Sequence, residues 1–200
     1  MKPTISARAA KSLGAVVIIL FLSACIPSLQ PLYTEKDLVF EKGLIGTWAE
    51  KDDSAVWTFS KSEGQAYALT IQNKDESSPL VAHLFKLNGQ LFLDLYPDDK
   101  GFEDWKREPF FKAAIVPGHL FFKVGSIEPK FQIYAMQSDW LKTLLEKDPK
   151  AGPHSKMAED RFAFTGSTDE MQSFLKKYQN NQETWGDPGE FTRKKDSAAK

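Results

Sequence analysis

Residues 81–95 do most to limit the folds open to this chain. Val81, His83, Phe85 and Leu87 alternate with other residues at the two-residue period of a strand. Asn88-Gly89 follows, and Leu91, Leu93 and Leu95 resume the alternation. Asn-Gly tolerates positive φ at both central positions of a two-residue turn, so the spacing predicts a tight antiparallel hairpin. Neighbouring segments carry the same period. Trp57 and Phe59, then Tyr67, Leu69 and Ile71, come before it. After it, Phe111, Ala113 and Ile115 are parted from Leu120, Phe122 and Val124 by Pro117-Gly118, and residues 131–136 follow Glu128-Pro129. With residues 44–50 and a short strand at 161–165, the reading gives eight or nine strands in a meander. An open sheet of that size leaves edges that invite other chains. The expectation is therefore a mainly β (α+β) fold, a curled antiparallel meander or a barrel of about eight strands.

Two helices are expected in the C-terminal half. Ser138 can cap residues 139–147, where Trp140, Leu141, Leu144 and Leu145 form one stripe. Ser167 and Glu170 have the spacing of a capping box, and Met171, Phe174, Leu175 and Tyr178 follow at helical period. Both stripes read as lids packed on the sheet.

The N-terminus is of a different kind. Residues 1–12 contain Lys2, Arg8 and Lys11 and no acid, and residues 13–22 are an uncharged, mostly aliphatic run. As a helix that run covers roughly 15 Å of a hydrocarbon core about 30 Å thick, too little for a permanent span. Leu22-Ser23-Ala24-Cys25 closes it. This order of charged, apolar and small residues resembles the signal and lipobox of bacterial lipoproteins. The resemblance implies that residues 1–24 are cleaved as a signal peptide and that Cys25 becomes the lipid-bearing N-terminus, tying the protein to a membrane. Ile26 stands where an aspartate retains the lipoproteins of enteric bacteria in the inner membrane, so the implied address is the outer membrane, facing the periplasm.

Cys25 is the only cysteine. A mature domain therefore has no disulfide and no thiolate zinc site. Residues 1–24 hold three of the 26 Lys+Arg and none of the 27 Asp+Glu, which leaves 23 against 27 and argues against a nucleic-acid partner. The chain divides into the signal (1–24), a lipid-anchored tether with prolines at 27 and 31 (25–42), one β-rich domain (43–183) and a flexible polar tail (184–200).

Gly46-Thr47-Trp48 opens the first long strand. The triplet resembles the glycine-x-tryptophan signature of lipocalins, small barrels that carry hydrophobic ligands in the barrel mouth. The likeness implies that Gly46 allows a close bend into the strand and that Trp48 plugs the closed end. Motifs for nucleophilic, phosphate-binding, dinucleotide or metal-protease chemistry are missing, so no catalytic, metal or cofactor site is expected. The leading expectation is a binding module for a small hydrophobic ligand, with Trp48, Trp57, His83 and Phe85 in its pocket. The alternative is an envelope scaffold that contacts a protein through Phe102 and Trp105, and an enzyme ranks last.

Overall fold

The computed structural model describes residues 26–51, 54–74, 76–159 and 161–195. Cys25 and the signal lie outside them. Strands β2 (Gly46–Ala49), β3 (Val56–Lys61), β4 (Ala66–Asn73), β5 (Glu76–Leu87), β6 (Gln90–Pro97), β7 (Leu120–Ser126) and β8 (Lys130–Tyr134) pair antiparallel in chain order. Strand β11 (Gly189–Arg193) fits between β8 and β2 and closes an eight-stranded antiparallel barrel. A ninth, two-residue strand, β1 (Leu38–Val39), continues the edge of β5 beyond the reach of β4.

The Asn88-Gly89 hairpin forms as expected. Both residues take positive φ, 46° and 86°, and Leu87 faces Gln90 across the turn. Strand β5 has apolar side chains on both faces. Ala82 and Leu84 point into the barrel with Leu93 and Leu95, whereas Phe85 and Leu87 point outward and join a second core. The two faces follow from the period of the strand and from what covers each.

That second layer comes from residues 136–185, together with Ile26 and Leu32 of the N-terminal segment. Helices α3 (Ser138–Lys147) and α4 (Thr168–Tyr178) flank a separate hairpin, β9 (His154–Ala158) with β10 (Arg161–Phe164). Leu141, Leu145, Met171, Phe174 and Leu175 pack with Phe164 over Phe85, Phe92 and Phe121 on the outer wall. Ser167 caps α4 through the expected box with Glu170.

Four expectations change. Ser138 is the first residue of α3 rather than its cap, and Gln137 stands at the cap position without a side-chain bond. Residues 111–115 are no strand: Pro109 opens a short helix, α2 (Pro109–Ala113), and the Glu108 side chain caps it by accepting from the Phe111 N–H. Another short helix, α1 (Asp99–Asp104), precedes it in the β6–β7 connection. The expected polar tail contains β11, whose only large apolar residue, Phe191, gives too short an alternation to read. The expected tether is bound to the domain from its first described residue. Ser28 exchanges both backbone hydrogen bonds with His119 (2.9 and 2.8 Å), and the Phe164 N–H donates to Pro27 O while Leu29 N–H donates to Phe164 O. Further along, Thr168 Oγ1 donates to Pro31 O, and Ile26 and Leu32 are buried. This leader thus stitches the start of β7 to the end of β10.

Candidate functional site

The barrel interior comes first, because a hydrophobic ligand would lie there. It is filled. Trp57 meets the rings of Phe59, Phe122, Phe131 and Phe191 at centroid distances of 5.2–6.3 Å, and Phe131 also meets Trp48, Phe59 and Phe191. Edge-on and tilted contacts of this kind are how aromatic side chains pack a core.

Trp48 belongs to the same packed core. It is fully buried, its indole N–H donates to Leu44 O (2.8 Å), and the Arg193 guanidinium covers its ring at 4.2 Å. Arg193 also donates to the carbonyls of Ile45 and Gly43 and pairs with Glu128 (3.2 Å). Gly46 lies beneath it at φ 128°, and any side chain there would run into the guanidinium. Sequence reasoning missed Arg193, since a basic residue in a charged tail carries no sign of its cation–π partner.

The four expected pocket residues do not share a pocket. Trp48 and Trp57 belong to the barrel interior, whereas Phe85 and His83 lie on the outer wall. Phe85 stacks on Phe92 under the helices. His83 belongs to a polar cluster under the leader. It faces Asp94 across the β5–β6 pair, and Asp94, completely buried, accepts from His119 Nδ1 at 2.8 Å. Tyr33 of the leader lies with its hydroxyl 2.9 Å from His83 Nδ1, and Tyr96 lies against the His119 ring.

Electrostatics in this cluster follow from burial. Desolvation raises the Asp94 carboxyl against the effect of both histidines, and it lowers the His83 imidazole against the pull of Asp94. Burial first, and Asp94 second, push the Tyr33 hydroxyl up to about 12, so it donates to a neutral His83. An aspartate–histidine pair can orient a base, but the nearby Ser28 hydroxyl donates to Gln30 O and forms no bond to His119. The arrangement clamps the leader. Among the described residues no group of three or more His, Cys, Asp or Glu could hold a metal ion.

This geometry makes stability depend on pH with a definite sign. Between the ordinary histidine value of 6.5 and the lower native value, the unfolded chain binds a proton that native His83 does not. Stability therefore falls as pH drops below 6.5. Asp94 acts oppositely: with its native value above 3.8, its contribution is lost as pH rises through that native value. Comparison with His83→Gln isolates the imidazole. Urea unfolding at stepped pH is expected to show a shallower acid limb in the variant, and equal limbs would contradict the assignment.

Two grooves stand out on the outer surface of the described residues. The larger, about 760 Å³, is lined by Lys123, Tyr134, Gln137, Gln182, Glu183, Trp185 and Asp187 among others. The smaller, about 420 Å³, lies between the β9 approach and α4, around Gly152 and Phe174. In the larger groove Lys123 Nζ sits between the rings of Tyr134 (5.0 Å) and Trp185 (5.2 Å), and burial lowers its pKa. Its one hydrogen bond among the described residues is a long one, 3.4 Å, to Gln179 O.

The last expected pair, Phe102 and Trp105, does come together, with ring centroids 6.1 Å apart in the β6–β7 connection. Phe111 joins them, 5.9 Å from Trp105. Comparisons of the chain with protein-family models, curated proteins and solved structures return no match.

Proposed function

We propose that this chain is a bacterial envelope lipoprotein, cut before Cys25 and lipidated there, whose domain is a binding module that takes its ligand in the outer groove beside Lys123. The state of Lys123 carries this choice. Its ammonium is partly buried, is held by two aromatic faces, and has no carboxylate within ion-pair distance among the described residues. An acid group on a ligand would supply the missing partner. Gln182, Glu183 and Asp187 offer hydrogen bonds along the same groove to a polar body. Such a lining suits a small, polar, acid-bearing molecule rather than an alkyl chain. The rings that pack the barrel also speak against an internal carrier site for a hydrophobic molecule.

Native mass spectrometry of the mature protein, purified from its own envelope, tests this. A small polar molecule should copurify with the wild type and be lost from Lys123→Met. Removing a charge-assisted hydrogen bond costs about 1.5–3 kcal/mol, roughly tenfold or more in affinity. A ligand retained equally by the variant, or an apolar one, would contradict the groove assignment.

A further inference from the structure

The β6–β7 connection carries four of the six large apolar side chains exposed among the described residues, Leu29 and Met157 being the others. Phe110 is 85 % exposed, Val116 71 %, Phe111 51 % and Trp105 38 %. Rings this open in a domain with two filled cores are positioned to meet something apolar. Arg107 lies over Trp105 (5.3 Å) and Phe111 (6.0 Å), so a cation sits among the rings. From Trp105 to Gly118 the chain has Lys106, Arg107 and Lys112 against Glu108, while the acids Asp98, Asp99, Glu103 and Asp104 all precede Trp105.

Its position relative to the leader identifies the partner. Gly118, at the end of this connection, is where the leader touches the domain: a side chain on Gly118 would begin 3.1 Å from the Pro27 ring. His119, the next residue, pairs with Ser28. Ile26 is buried, and Cys25 is joined to it by a single peptide bond, a Cα step of about 3.8 Å. Helix α2 ends at Ala113, and bonds from Ala114 N–H to Phe110 O and from Ile115 N–H to Lys112 O keep the chain coiled up to Ile115. Three further residues reach Gly118. Phe111 therefore lies within about 17 Å of Gly118, by helical rise plus extended reach.

We infer that Trp105, Phe110, Phe111 and Val116 form a membrane-contact surface, which enters the lipid interface beside the lipidated Cys25 and fixes the domain against the bilayer. The inference rests on the lipoprotein reading of Cys25. Because the leader is bound from Ile26 onward, little free chain separates lipid from domain, and whatever flanks Pro27 is brought to the surface of the membrane. Tryptophan and phenylalanine suit the interfacial zone, and the three cations suit anionic headgroups.

The test reconstitutes the mature protein in vesicles of phosphatidylethanolamine and phosphatidylglycerol carrying brominated acyl chains, which quench tryptophan on contact. Trp48, Trp57 and Trp185 are buried and Trp140 is partly so, which leaves Trp105 as the most exposed described reporter. Flotation, intact mass and fluorescence are read on the same sample. The expected result is a lipid-modified protein that floats and whose fluorescence is partly quenched, with the quenched part absent in Trp105→Phe and reduced in Phe110→Ser/Phe111→Ser. A lipidated protein that floats without quenching overturns the surface and leaves the anchor standing. An intact mass without lipid on Cys25 removes the anchor and the inference with it. Protection of Trp105 that rises with protein concentration and needs no vesicles assigns the rings to a second copy, and also overturns it.

Discussion

Ending the chain at Pro188 is expected to abolish the cooperative native state. The deleted residues include β11, which pairs with β8 from Gly189 to Thr192 and with β2 at Thr192 and Arg193. Without it the barrel has two open edges, and β2 and β8 lose partners that water must replace. Phe191 leaves the centre of the ring cluster, 5.2 Å from Trp57 and 5.8 Å from Phe131, and Arg193 leaves the face of Trp48. These losses together exceed the roughly 5–15 kcal/mol by which a domain is stable. Near-ultraviolet circular dichroism should show the aromatic signal collapse, and a synthetic peptide of residues 189–200 should restore part of it. A truncated protein with an unchanged melting transition would mean that the barrel closes without β11.

Phe131→Ala should cost about 3–5 kcal/mol, the range for removing a fully buried phenylalanine when the surroundings collapse only in part. Phe131 has no exposed surface and touches the rings of Trp48, Trp57, Phe59 and Phe191. The variant should still fold, with a lower midpoint in urea and an unaltered slope, because the exposed area of the unfolded chain hardly changes. A loss under about 1 kcal/mol would show that the interior is loosely packed or already open.

The barrel was legible because its strands alternate over long runs and its central hairpin turns on Asn88-Gly89. Even the facing of His83 and Asp94 could have been found there, since residues equally far from a two-residue turn face each other across the strands. What escaped has physical reasons. Strand β11 offers one large apolar residue, so its place in the sheet depends on partners far away in sequence. Residues 111–115 alternate as a strand would, yet Pro109 and the Glu108 cap select a helical turn. The leader is held mainly by backbone hydrogen bonds and by Gln172 and Thr168 of α4, and backbone pairing leaves no mark on a sequence of mixed polarity. Trp48, Trp57, His83 and Phe85 were expected in one pocket, although β5 directs its two faces into different cores. The lining of the outer groove draws on β6, β7, β8 and residues 182–188, and such convergence has no linear motif.

A closed barrel packed with rings leaves only the outer surface for the proposed ligand. Titrating the purified mature protein with a fluorescent fatty acid, and following energy transfer from Trp57, tests this directly. The wild type is expected to show no saturable uptake, whereas Phe131→Ala, with a void beside Trp57, should take up the probe. Saturable one-to-one uptake by the wild type, with quenching of Trp57, would contradict the account and restore the barrel as a carrier of hydrophobic ligands.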